Sequence, residues 1–168
     1  MAGSKKASRK SSSKSSEGKQ SRTPRDAIAL LKADHEKVSG LFEDFEKARA
    51  ASKKKKLVAE ICAELTVHTE LEDEIFYPAV KAALKDKALV PEATVEHASI
   101  KDLIAQVEGV EPDGEMYDAK VKVMSEYVKH HVKEEQNEMF AKAKKTRLDL
   151  VALRDQMLKR KEELTAGA

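Results

Sequence analysis

Two short stretches carry residues that can do chemistry together. His68-Thr69-Glu70-Leu71-Glu72 and His131-Val132-Lys133-Glu134-Glu135 both read His-x-x-x-Glu. On an α-helix, residues four apart lie on one face, so each stretch sets an imidazole beside a carboxylate. A single such pair is a common surface arrangement. Here the pair is repeated, and its surroundings repeat with it. Setting His68 on His131 places Glu72 on Glu135, Phe76 on Met139 and Tyr77 on Phe140. Upstream, His35 is followed by Val38, Leu41, Phe42 and Phe45, and His97 by Ile100, Leu103, Ile104 and Val107. The spacing from the lone His to the His-x-x-x-Glu motif is 33 residues in the first copy and 34 in the second. The chain therefore reads as two copies of one unit, a helix with one inward His followed by a helix with His-x-x-x-Glu. Two such helix pairs make an antiparallel up-down four-helix bundle with approximate two-fold symmetry.

Helical arithmetic gives the direction of these side chains. With Val128 at the centre of an apolar face, Tyr117, Val121, Met124, Val132, Glu135 and Met139 fall within about 40°, and His131 within about 60°. His130 falls about 160° away, toward solvent. In the preceding copy Val58, Ile61, Cys62, His68, Glu72 and Phe76 share the face of Leu65. His35 keeps company with Leu31, Val38 and Phe42, and His97 with Ile100 and Ile104. Four His and two Glu thus point into apolar faces. Burying ionised carboxylates without partners is costly. A lone inward His is usually a hydrogen-bonded core residue, but a metal satisfies all six groups at once. Imidazole and carboxylate suit iron, zinc and manganese alike. Six ligands in two symmetric sets exceed the three or four a zinc site needs. They fit a two-metal arrangement. Ferritin-like di-iron bundles use Glu-x-x-His, the opposite order.

The elements that must position these groups follow from composition and punctuation. Charged residues are 37 % and aromatics 4 %, with no Trp, a mixture that suits an all-α bundle. Residues 1–22 form a Ser/Lys-rich, low-complexity tail expected to be disordered. Residues 1–25 carry eight Lys or Arg and one acid, a charge of +7, against −5 for the remainder of a chain whose net charge is +2. Such an arm suits nucleic acid or an acidic partner, although it lacks interleaved aromatics, and a merely solvated extension is the plainer alternative. Residues 23–145 are expected to form the bundle and 146–168 a further amphipathic helix. Thr23 and Ser52 are the expected N-caps of the first two helices. Pro78 is expected to kink or end the second. The third is expected over about 92–109, the fourth over about 115–144 and the last over about 146–165. On the last, Leu150, Leu153, Met157 and Leu164 make a stripe that packs on the bundle or pairs with another chain. The longest apolar run, Ala27 to Leu31, is far too short to cross a membrane. With no apolar signal core and a single cysteine, Cys62, a cytoplasmic location is expected. Cys62 reads as a buried small hydrophobe rather than a ligand.

Asp34-His35, His68-x-x-x-Glu72 leading into Ile75-Phe76-Tyr77-Pro78, Glu96-His97, and His130-His131-Val132-Lys133-Glu134-Glu135 together resemble the hemerythrin family, most of all its bacterial HHE cation-binding branch. The resemblance covers about residues 24–144. It implies a non-haem di-iron centre, two iron ions with bridging carboxylates and room for a bridging oxo or hydroxo group. It implies His35 and His68 on one iron, His97 and His131 on the other, and Glu72 and Glu135 as bridges. Lys101 departs from the pattern, since oxygen carriers of the family have a further His there. From that position a side chain is expected to be able to reach the centre, and one iron would lack a third imidazole. The implied function is binding or sensing of oxygen, nitric oxide, peroxide or iron itself. An enzyme on the same centre, peroxidase-like or repairing oxidative or nitrosative damage, is the alternative. A helical bundle without metal is the blandest reading, and oligomeric state is open.

Overall fold

A computed structural model describes residues 22–167, so the basic tail expected over 1–22 lies almost entirely outside the described residues. Among the described residues the chain is helical, without strands. Helices α1 (Ala27–Lys47) and α2 (Ala51–Leu71) form one pair, and α4 (Leu89–Val107) and α5 (Glu115–Glu134) the other. Each second helix runs on beyond its motif. A π-helical segment, Glu72–Phe76, leads from α2 into α3 (Tyr77–Leu84). A second, Glu135–Phe140, leads from α5 into α6 (Ala141–Ala143). Helix α7 (Leu150–Ala166) closes the chain.

Local chemistry moves several expected boundaries. The N-cap of α1 is Asp26 rather than Thr23, because its carboxylate accepts the Ala29 N–H at 2.9 Å. Helix α2 starts behind Ala50 with no side-chain cap, one residue ahead of Ser52. The third begins at Leu89, because the Asp86 carboxylate accepts the N–H groups of Leu89 and Val90 at 3.1 and 2.8 Å. The last begins at Leu150 behind Asp149, whose side chain accepts the Ala152 N–H. Pro78 neither ends nor breaks the second long helix. It lies in the first turn of α3, directly after the π segment, where the hydrogen-bond register changes and a residue without an N–H is accommodated.

The core falls into two apolar clusters. One includes Val38, Phe42, Phe45, Ile61, Leu65, Ile104, Tyr117 and Met124. The other includes Leu31, Leu71, Phe76, Tyr77, Phe140, Leu153 and Met157. Between them lies a buried polar layer made by His35, His68, Glu72, His97, His131 and Glu135. Helix α7 packs on the bundle through Leu153 and Met157. It is pinned there by Arg154 donating to the carbonyls of Pro24 and Arg25, by Arg160 on Glu74 and by Lys161 on Asp34. No helix among the described residues is long and apolar enough to cross a membrane. Cys62 is buried and free.

Candidate metal centre

The six residues singled out by pattern meet in the polar layer. Donor atoms of His35, His68, Glu72 and Glu135 lie within 4.8 Å of one another, as do those of Glu72, His97, His131 and Glu135. The two carboxylates belong to both sets. His35 Nε2 stands 3.1 Å from His68 Nε2, and His97 Nε2 stands 3.2 Å from His131 Nε2. Glu72 Oε1 lies 2.5 Å from His68 Nε2 and 3.6 Å from His97 Nε2. Glu135 reaches His35 through Oε1 at 3.2 Å and His131 through Oε2 at 3.4 Å.

The outer nitrogen of each imidazole faces an acceptor. His35 Nδ1 donates to Gln136 Oε1 at 2.8 Å, His68 Nδ1 to Asp34 at 3.1 Å and His97 Nδ1 to Asp73 at 2.8 Å. His131 Nδ1 lies 3.6 Å from Glu96 Oε2. A proton held on Nδ1 leaves the Nε2 lone pair aimed inward, the tautomer of an imidazole that binds a metal. Two of the outer carboxylates are themselves paired, Asp34 with Lys161 at 2.7 Å and Asp73 with Lys101 at 2.9 Å. This is where Lys101 goes. Its side chain is 44 % exposed and turned onto Asp73 rather than toward the centre, because an ammonium keeps water and a carboxylate in preference to a buried imidazole cluster.

Titration behaviour follows from the same layout. Burial disfavours a charged His68, but Glu72 and Asp34 overcome it and raise its pKa well above 6.5. For His97 burial is likewise outweighed, by Asp73 and Glu72, and the pKa rises to about 9. His131 is raised as well, its burial offset chiefly by Glu135. Burial would raise Glu72, yet His68 holds it well below the usual carboxylate range. The three histidine shifts share one origin, carboxylate charge set beside each imidazole. Three carboxylate oxygens, both of Glu72 and Oε1 of Glu135, receive no well-aligned hydrogen bond, although imidazole nitrogens stand close to two of them. A metal ion shared by inward lone pairs and carboxylates would satisfy these oxygens, so the donor set fits cations.

Sequence reasoning missed one polar member. Tyr77 is buried, and its hydroxyl donates to Glu135 and stands 3.1 Å from His97 Nε2 and 3.3 Å from His131 Nε2. On an unbroken α-helix, residue 77 would point away from the face of Glu72. The π segment turns it inward, and the Tyr77 N–H bonds the Glu72 carbonyl five residues back. The signal available in the sequence was the matched aromatic five residues after each inward Glu. The outer acceptors Asp34, Asp73, Glu96 and Gln136 were also missed as a set.

Comparison with known proteins gives this fold and site a class. Residues 26–143 match the hemerythrin HHE cation-binding domain, and the chain belongs to that family. A solved structure of a hemerythrin HHE cation-binding-domain-containing protein from Mycobacterium kansasii is similar, with a TM-score of 0.72 at 25 % identity over 84 % of this chain and 88 % of that one. A DNA nickase of a Nostoc species is 27 % identical over 112 residues, 67 % of this chain and 32 % of that protein. The chain thus spans about a third of the length of that curated relative.

Proposed function

We propose that this protein holds a non-haem di-iron centre and uses it to bind or sense a small ligand, namely oxygen, nitric oxide, peroxide or iron itself. In this reading His35 and His68 hold one iron, His97 and His131 the other, and Glu72 and Glu135 bridge them. The observation that carries it is the pair of buried four-residue donor sets sharing two carboxylates, three of whose four oxygens lack hydrogen-bond donors. Bound there, the irons would supply open coordination positions and reversible one-electron chemistry. The chain's own residues do the rest. Asp34, Asp73 and Gln136 hold three of the four imidazoles, those of His68, His97 and His35, in register by the Nδ1 proton. Phe76, Phe140 and Met139, all buried, keep bulk water from the layer. Tyr77 holds a phenol proton at Glu135.

One observation favours the enzymatic alternative. A phenol within hydrogen-bond reach of Glu135, His97 and His131 can give a proton to a reacting species, which a simple storage site does not need. The basic residues 1–25 are a candidate arm for nucleic acid, with binding expected to weaken steeply with salt. The test of the main reading is metal analysis of the purified full chain with its visible spectrum, reduced and then exposed to oxygen or nitric oxide. Iron with ligand-dependent bands supports it, and a chain that takes up no iron refutes it. Steady turnover of hydrogen peroxide with a reductant would favour the enzyme.

A further inference from the structure

Small cavities border the centre on more than one side, and one of about 20 Å³ is lined by His35, His68, His97 and His131 together. Helix α7 lies over the side of His35 and His68, where Lys161 reaches Asp34. On the other side a cavity of about 20 Å³ opens between α4 and α5, lined among others by Glu96, Glu134, His131, Glu135 and Met139. That volume is enough for about one water molecule. At its outer side stand Glu96 of α4 and Glu134 of α5, and His130, which lies outside the cavity, joins them in a group whose donor atoms lie within 4.8 Å of one another. His130 is 67 % exposed, and its Nε2 stands 3.2 Å from Glu134 Oε1. At the inner side lie His131 and the buried Glu135, whose Oε2 faces His131. Glu96 faces both ways, since its Oε2 also stands 3.6 Å from His131 Nδ1.

We propose that Glu96, His130 and Glu134 form a surface site that captures a divalent cation and passes it through this cavity to the buried centre. The proposal rests on the metal-centre reading given above. Two carboxylates and an imidazole are a donor set for first-row divalent ions. With only three protein donors and open solvent, an ion there keeps part of its water, which suits transit rather than storage. A dehydrated ion in a low-dielectric interior is costly, and a half-hydrated stop divides that barrier. The helix supplies the geometry, because His130–Glu134 is the His131–Glu135 pair moved by one residue, so one turn of α5 displays the outer pair beside the inner one. An ordinary surface ion pair would have neither a third donor from α4 nor a cavity behind it leading to ligands.

The test separates rate from capacity. The full chain is stripped of metal and mixed anaerobically with cobalt(II), whose visible bands report loading, and final metal per chain is measured. His130→Ala and Glu134→Gln are expected to load about tenfold more slowly, the lower end of what local charge contributes to association rates, with final content unchanged. Glu96→Gln should slow loading too, and Glu60→Gln, on the exposed face of α2, should not. Loading at the unaltered rate in His130→Ala and Glu134→Gln would overturn the proposal. So would equal slowing by Glu60→Gln, or a lower final content in His130→Ala, which would make His130 a ligand of the centre. If the unaltered chain takes up no cobalt, the metal-centre reading falls as well; if it fills normally and the variants keep pace, the loading route alone falls.

Discussion

In the half of the centre built on His35 and His68, Phe140 stacks on His35 at 6.0 Å. In the half built on His97 and His131, Tyr77 takes the equivalent place and stacks on His97 at 5.2 Å. The outer acceptors correspond in the same way. Asp34 and Glu96 each precede the lone His of their copy, and Asp73 and Gln136 each follow the inward Glu. Each of the latter bonds the lone His of the other copy. The repeat therefore extends through the inward donors and their supports alike. It is broken at a few points: a phenol oxygen in place of a ring edge, a carboxylate at 73 against an amide at 136, and the cover of α7 on one side only. Matching donor sets thus sit in unequal surroundings. The second half has more negative charge beside it and a phenol at Glu135, and the first is braced by Lys161 of α7.

The largest expected effect removes what the halves share. Glu72→Gln and Glu135→Gln should each weaken both metals, because a bridging carboxylate serves two ions. At a metal concentration a hundredfold above Kd, binding stabilises a fold by about 2.7 kcal/mol per site. That metal-dependent rise in melting temperature should shrink in both variants, as read by comparing loaded with stripped protein. A full rise in either would end the shared-carboxylate account.

His131→Ala should lower metal content by at least one per chain. This variant acts on one half, so retained binding in the His35–His68 set is expected, and loss of both would mean that the halves fill only together.

Asp34→Asn and Asp73→Asn loosen one outer acceptor in each half. Such supports are worth roughly 10–100-fold in metal affinity. Competition with a chelator should give similar losses for the two, since each carboxylate carries one imidazole and one lysine. A one-sided result would sharpen the difference between halves.

Tyr77→Phe makes the two aromatic positions alike. Metal content should stay the same, stability should fall by about 1–3 kcal/mol from the lost charged hydrogen bond, and the absorption of the iron-loaded protein should change. An unchanged spectrum would make the phenol a packing residue.

The smallest effect lies outside the centre. Burial, with Glu108 adding to it, pushes the Cys62 thiol from 9.0 up to about 12. A pKa raised on folding leaves its contribution intact below pH 9 and loses it as pH climbs toward 12, so this group should cost stability only in strong alkali. At pH 8 the native thiol should react with a disulfide reagent far more slowly than in denaturant, and equal rates would contradict its burial.

How much of this was legible in the sequence depends on the range of the signal. The six inward His and Glu were readable because each is a polar residue on a periodic apolar face, and the repeat fixed the choice of His131 over His130. The structure turns His131 into the layer and leaves His130 exposed. The helix count and the packing of Leu153 and Met157 followed from the same periodicity. The π segments were not legible, since straight 100° arithmetic assumes they do not exist, and Tyr77 was lost with them. Asp73 and Gln136 act across the bundle, so no local pattern marks them. Thr23 and Ser52 failed as caps because Asp26 and the backbone at Ala50 did that work nearer the helices, and Lys101 turned to Asp73 through a contact between elements that spacing does not encode.

The most direct test of the central claim is a metal titration of the stripped full chain, with bound metal counted per chain at saturation of the buried sites. Two tightly held ions per chain, falling together in Glu72→Gln, are the predicted result. One ion, or none, in the unaltered chain would contradict a centre of two halves sharing Glu72 and Glu135.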